Sequence, residues 1–385
     1  MPRPRLPHLP CLLAGLLGLA ACESAPAPEF RVGLIGAFEG AFAQSSGLPA
    51  RQGATLAVEH LNAEGGVLID GVRHRVVLVD RETAPRPDAA ATVARALINL
   101  DSVDVIVGPQ QSVLALSAGA VAEASAVPLV APMASSPAVT TDRALVSRLA
   151  FLDAVQGREL ARFAYDSLGA RRAAALYAAS SPYGREITTL FRETFEALGG
   201  TMVGEETFNA DDPETVAPQI RRLVGARSDV LLLPNFTSRD SLHFQLARRL
   251  GFAGRLLGSD AWDAVALSRR PEVQGAIILA NWDRRSDYPA GRTFHDAFAA
   301  RHPGETVRAT AAATYDAIRL LALAASRAHT RSGRLVMDSL RGIGDYEGAF
   351  GSYRFVGTGD PVRGAVVLEV AADSTRVRAQ VRPPA

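Results

Sequence analysis

Few residues in this chain are placed to do covalent chemistry. It contains no lysine, which excludes a phosphate-binding loop with its lysine, a Schiff base and a pyridoxal attachment. The only cysteines are Cys11 and Cys22, so the rest of the chain has no disulfide framework, no thiolate metal site and no thiol nucleophile. There is no G-x-S-x-G elbow and no H-E-x-x-H, and the seven histidines are scattered without ligand spacing. Gly33-x-x-Gly36-x-x-x-Gly40 follows an apolar run but is not the dinucleotide fingerprint. The acid pairs Glu205-Glu206 and Asp211-Asp212 flank a strand and a helix start and read as solvated surface. What remains is non-covalent recognition. Ser112 opens a helix directly after a strand, where a hydroxyl, free N–H groups and the helix dipole together meet an anion. The same position also suits a plain N-cap. Asp260 follows a short apolar strand in Gly258-Ser259-Asp260-Ala261-Trp262, where it serves either as a binding acid or as a helix cap.

The elements that would position these groups follow from periodicity. Apolar runs at 31–36, 75–80, 103–107 and 127–131 read as strands, and amphipathic stretches at 51–63, 88–100 and 112–125 read as helices. The strands lack polar alternation, which predicts a parallel sheet covered on both faces. The unit then starts again: strands at 173–177, 201–208, 229–233, 255–257 and 274–280, with helices at 183–198, 214–224 and 238–250. Two long helices at 291–301 and 308–329 follow, and 348–370 reads as hairpin structure. A length of 385 residues with 48% hydrophobic content suits two α/β domains and excludes a disordered chain. A formal net charge of +1 offers no electrostatic case for nucleic acid as a partner.

The N-terminus reads as an export signal. Arg3 and Arg5 precede the apolar run LLAGLLGLAA at 12–21, which is shorter than the roughly 20 residues a membrane span needs. The run ends in Leu19-Ala20-Ala21-Cys22, which resembles a bacterial lipoprotein signal. That resemblance implies a signal peptide at 1–21, a lipidated Cys22, and a Pro-rich tether at 22–29 holding the domain off a membrane.

Taken in order, seven segments are similar to the type I periplasmic binding proteins, specifically the branched-chain amino-acid (Leu/Ile/Val) binding family of ABC importers. They are RVGLIGAFEGAFAQSSG from Arg31, ARQGATLAVEHLNAEGGV from Ala50, and Val107-Gly108-Pro109 with Ser112. Val127-Pro128-Leu129-Val130-Ala131-Pro132-x-Ala134-Ser135, Ser181-Pro182-Tyr183-Gly184-Arg185, Leu257-Gly258-Ser259-Asp260 and Ala313-Thr314-Tyr315-Asp316-Ala317 complete the set. The likeness covers about the whole mature chain. It implies two doubly wound parallel-sheet lobes joined by three crossovers. Lobe 1 is expected at 30–150 plus 282–343, and lobe 2 at 151–281 plus 344–385. The lobes would close by hinge motion on a small solute, with no cofactor and no catalysis.

The resemblance also implies a site. Ser112 and Ser135 would bind a carboxylate through hydroxyl and backbone N–H, Gln111 and Met133 would supply backbone atoms, and Asp260 would face an ammonium. Tyr183, Trp262 and Phe236 would form walls, although a core role fits each aromatic as well. Phe236 stands where relatives carry tyrosine, and Ser46 or Ser45 where they present an aromatic. Those departures leave the ligand open between a branched-chain or other amino acid, a small amide and a small carboxylate. Asp316, among apolar neighbours, reads as structural. The implied protein is a monomer in the periplasm or cell envelope that delivers its ligand to ABC permease subunits. A sensor lipoprotein with the same cleft is the alternative; a nucleotide-dependent α/β enzyme fits an exported chain poorly, because such cofactors are cytoplasmic.

Overall fold

A computed structural model describes residues 27–209, 216–235, 237–262, 264–283 and 289–381. Cys22 with the expected signal, and Phe236, lie outside the described residues. The first half runs β1 (Glu29–Gly36), α1 (Leu48–Ala63), β2 (Val67–Ile69), β3 (Val72–Glu82), α2 (Pro87–Asn99), β4 (Val105–Val107), α3 (Ser112–Ala124), β5 (Leu129–Ala131) and β6 (Val146–Arg148). These strands form one sheet in the order β2-β3-β1-β4-β5-β6, parallel except for the β2–β3 pair. The interior strands β4 and β5 are buried along their whole length, which is why they carry no polar alternation.

The second half runs α4 (Asp153–Arg162), β7 (Arg172–Ala178), α5 (Pro182–Ala197), β8 (Thr201–Phe208), α6 (Ala217–Gly225), β9 (Val230–Leu233), α7 (Thr237–Arg249), β10 (Arg255–Gly258), α8 (Ala264–Leu267) and β11 (Ile277–Ala280). The chain then gives α9 (Pro289–Arg301), α10 (Ala309–Ala328), α11 (Gly333–Arg341), the hairpin β12 (Asp345–Gly348) and β13 (Gly351–Arg354), and finally β14 (Ala365–Ala371) and β15 (Ser374–Val381). The second sheet has the order β15-β14-β11-β10-β9-β7-β8, with β14 and β15 antiparallel to their neighbours. Each sheet is covered on both faces. In the first lobe, α1, α10 and α11 bury one face, and α2 and α3 the other. In the second, α6 and α7 cover one face, and α4 and α5 the other.

Several expected features are changed by the structure. β6, α4 and α11 appear where the sequence was read as connection. The boundary expected at residue 344 also moves. Ala349, Phe350, Tyr353 and Phe355 sit in the first lobe's core, so the β12–β13 hairpin belongs to that lobe. The chain enters the second lobe only at β14. The cause is a buried carboxylate. Asp316 on α10 accepts the backbone N–H groups of Ala349 and Phe350 at 2.8 Å each and the Tyr353 hydroxyl at 2.9 Å. Burial pushes its pKa up to about 6, although those donors favour the ionised form. Gly348 is required beside it, because a Cβ there would lie 2.3 Å from an Asp316 carboxylate oxygen. The segment after the hairpin is also strapped to the first lobe. Arg148, fully buried on β6, pairs with Asp360 at 2.5 Å and donates to Thr140 Oγ1 at 2.7 Å.

The three crossovers meet at one side chain. Buried Arg363 donates to the carbonyls of Leu149 (2.8 Å), Phe350 (3.1 Å) and Asn281. Arg363 itself stands on the third crossover, between β13 and β14; Leu149 lies on the first crossover, Asn281 on the second, and Phe350 in the turn of the β12–β13 hairpin. Asn281 adds a second link, since its Oδ1 accepts the Phe151 N–H at 3.0 Å.

Candidate functional site

The loops that leave the C-terminal ends of β1, β4, β5, β7, β10 and β11 converge on one cavity of about 540 Å³. This is where open α/β sheets bind ligands, and the volume lies in the range of small-molecule sites. Ser46, Gln111, Ser112, Met133, Ser135, Tyr183, Asp260 and Trp262 all line it.

The first lobe contributes hydroxyls and amides. β4 ends in Val107 and turns at Gly108, whose φ of +83° and 2.3 Å approach to the Ile35 carbonyl leave no room for a Cβ. That turn delivers Gln110, Gln111 and Ser112 to the cavity. Ser112 is the first residue of α3; the N-cap position is taken by Gln111 without a side-chain cap. The Ser112 hydroxyl instead accepts the N–H groups of Ser135 and Ser136, both at 3.2 Å. It therefore ties the β4 and β5 loops together, and its own proton is left to donate. Ser135 is buried, and Met133 packs half-buried against the first lobe's core. Ser46 is half-buried in the turn before α1. Gln110 is a lining residue that the sequence reading passed over. It is buried, its Nε2 lies 3.4 Å from Thr314 Oγ1, and its Oε1 has no partner.

The second lobe contributes acids. Asp260 does not cap a helix. Its Oδ1 accepts the Tyr183 hydroxyl at 2.7 Å and its Oδ2 accepts Asn281 Nδ2 at 2.6 Å, while its backbone N–H donates to Gln156 Oε1 at 3.0 Å. Burial pushes its pKa up against the pull of those donors. Tyr183 sits in the first turn of α5, held there by Pro182 and by the Ser181 hydroxyl accepting the Gly184 N–H. Burial and the nearby Asp260 charge hold its phenol well above the usual range. Trp262 is mainly a core residue: it is 4% exposed, packs edge-on to Phe244 and donates Nε1–H to the Leu233 carbonyl at 3.0 Å.

Four more carboxylates line the cavity, Asp153, Glu186, Asp283 and Asp373, and Arg308 lines it from the start of α10. Asp153 opens α4, one of the helices absent from the sequence reading, and is fully buried. Gln156 Nε2 approaches its Oδ1 at 3.3 Å, and Oδ2 has no partner. Burial, opposed by the Ser135 hydroxyl and reinforced by Asp260 and Glu186, raises its pKa to about 7. Glu186 is half-buried on α5 and is raised for the same first reason. An acid at the start of one helix and another one turn into the next was the available sequence signal. It was missed because α4 itself was not recognised.

Two lobes with a cleft at the strand ends, joined by three crossovers, define a two-lobed solute-binding protein. The chain belongs to the periplasmic binding protein family, whose model matches residues 29–375. Among similar proteins, the "Leu/Ile/Val-binding protein BraC3" of Rhizobium johnstonii is 24% identical over 357 residues, covering 91% of this chain and 94% of its own. The "Leucine-specific-binding protein" of Salmonella typhimurium is 23% identical over 75% of this chain and 77% of its own. Among solved structures, a leucine binding protein from Thermotoga maritima superposes with a TM-score of 0.83 at 26% identity, covering 92% of this chain and 99% of its own. A solute binding protein from Rhodopseudomonas palustris in complex with 3,4-dihydroxybenzoic acid shares the fold at a TM-score of 0.80 and 20% identity, covering 93% and 98%.

Proposed function

We propose that this chain is the solute-binding protein of an ABC importer and that it captures an amino acid in the cleft between its lobes. The supporting observation is the opposition of chemistry across that cleft. Ser112, at the start of α3, offers its hydroxyl proton and N–H to a carboxylate, and Ser135, in the loop after β5, lines the same wall. Asp260 offers a negative charge to an ammonium. A zwitterion leaving water needs both partners at once, because an unpaired charge in a desolvated cleft is costly. The names of the relatives point to the same ligand class.

In this reading the chain is exported, cleaved before Cys22, lipidated there, and held at the periplasmic face of a membrane as a monomer that hands its ligand to permease subunits. Thermal-shift measurements on the mature chain against free amino acids, amides and small carboxylates test the ligand class. A ligand at 100-fold excess over its dissociation constant stabilises by about 2.7 kcal/mol. A rise confined to aromatic carboxylates would overturn the amino-acid reading. Mass spectrometry of the membrane-extracted protein tests the anchor: a diacylglyceryl adduct on Cys22 is expected, and a Cys22→Ala variant is expected in the soluble fraction.

A further inference from the structure

One polar side chain on the first-lobe wall is not used by the carboxylate or the ammonium of an amino acid, and it narrows the ligand further, on the premise that the ligand is one. Ser112, Ser135 and Asp260 take those two groups at one end of the cavity. Ser135 follows β5, and the first sheet continues from β5 through β4 to β1. Neighbouring strands lie about 4.8 Å apart, so the loop after β1 stands about 10 Å along the wall from the loop after β5. Ser46, in the turn before α1, lines that farther end. The start of α10 lies there too, since a Cβ on Gly53 of α1 would come within 2.0 Å of the Ala311 carbonyl oxygen. Thr310, on the first turn of α10, lines the cavity, and Thr314 follows it one turn later on the same face.

Gln110 points to this face. It is 5% exposed and lines the cavity, and its amide meets Thr314 Oγ1 at 3.4 Å through one atom while the other atom has no partner. A half-turn of the amide exchanges its oxygen and nitrogen, so the free position can present an acceptor or a donor. A buried polar atom without a partner is destabilising, and an aliphatic residue at 110 would avoid that. Arg308 and Asp283, which also line the cavity, are both already engaged with other groups and carry opposite charges, so they call for no net charge on the ligand's side chain. We infer that the cleft selects an amino acid whose side chain carries an uncharged hydrogen-bonding group, a hydroxyl or a carboxamide, and that Gln110 is the residue that receives it. Either group both donates and accepts, so either satisfies the free amide atom whichever way it is turned. An aliphatic side chain would cover that atom and leave it unpaired.

Matched ligands test this without disturbing the fold. Isothermal calorimetry on the mature chain compares threonine with valine, asparagine with leucine, and glutamine with methionine; each pair nearly keeps its shape and differs in the polar group. In at least one pair the polar member is expected to bind about tenfold tighter or more, because a site with a buried polar group rejects the analogue that cannot pair with it. A Gln110→Leu variant is expected to shrink that preference by about fivefold or more, with the apolar member binding as well as before or better. If the apolar member binds as tightly as the polar one in every pair, the polar selection is wrong while the amino-acid reading stands. If no amino acid of either kind binds, both fall. An undiminished preference in Gln110→Leu overturns the role assigned to Gln110.

Discussion

The two walls of the cleft are built from the same kind of loop, a strand end running into a helix start, yet they differ in chemistry. On the first lobe, the loops after β4 and β5 carry serine and glutamine and bond to each other through the Ser112 hydroxyl. On the second, the equivalent loops carry aspartate, glutamate and tyrosine, with Asp260 held by Tyr183 and Asn281. Fold symmetry therefore places the binding loops but does not decide what they bind. Of the charged residues that line the cavity, Asp153, Glu186, Asp260 and Asp373 stand on the second lobe, and Asp283 and Arg308 on the segment that returns to the first. A wall of neutral donors accepts an anion with modest strength through dipoles. A wall of partly buried carboxylates demands a cation, because burial makes an unmatched charge expensive.

The comparison is most severely tested at the joint between the walls. From the third crossover, Arg363 satisfies carbonyls on the first two and in the β12–β13 hairpin, and Arg363→Met leaves them unpaired; a loss of at least about 3 kcal/mol in unfolding free energy is expected from denaturant titration. An unchanged midpoint would show that the crossovers are held by packing alone. Next in size is Asp260→Ala, which removes the charge proposed to receive the ammonium and is expected to weaken amino-acid affinity by about 2–5 kcal/mol in calorimetry. Affinity equal to that of the parent protein would remove Asp260 from the site. On the opposite wall, Ser112→Ala strands the Ser135 and Ser136 N–H groups. An affinity loss of about 1–3 kcal/mol is expected, smaller than that for Asp260→Ala. Should it exceed the Asp260 effect, the charge asymmetry would not govern binding.

The smallest effect is the pH dependence of the unliganded protein. Asp153, facing Asp260, Glu186, Arg148 and Ser135, keeps its proton in the native state up to about pH 7, whereas in the unfolded chain it releases it in the ordinary carboxylate range. The native state then holds more protons, so stability falls as pH rises from about 4 to 7 and levels off above that. Asp316, raised to about 6, adds in the same direction over the lower part of the window. A melting temperature that declines by a few degrees between pH 5 and 7.5 is expected. A rising melting temperature across that interval would contradict the burial of both acids.

Much of this was legible in the sequence. The strands β1, β4, β5, β7 and β9 are apolar runs because they are buried on both faces, and such a run reports its own environment. The loops after them were legible for the same reason, and Ser112, Ser135, Tyr183 and Asp260, singled out there from the sequence, line one cavity. Asp153 was not found, because α4 begins just past the crossover with a polar first turn and no apolar run to announce it. Asn281 and Arg363 were missed for a different reason. Each bonds to groups dozens to hundreds of positions away, and nothing in its neighbours along the chain marks it. The boundary at residue 344 went astray likewise, since the hairpin's alternation looks the same whichever lobe receives it.

By itself, then, the order of residues determined the alternation of strands and helices, which depends on residue type and short-range spacing. The tertiary structure alone decided that four acids share one wall, that Asp316 pulls the hairpin into the first lobe, and that Arg363 gathers the crossovers. Those outcomes depend on which distant groups are left without water and without a partner when the chain closes, and burial of that kind is a property of the packed whole.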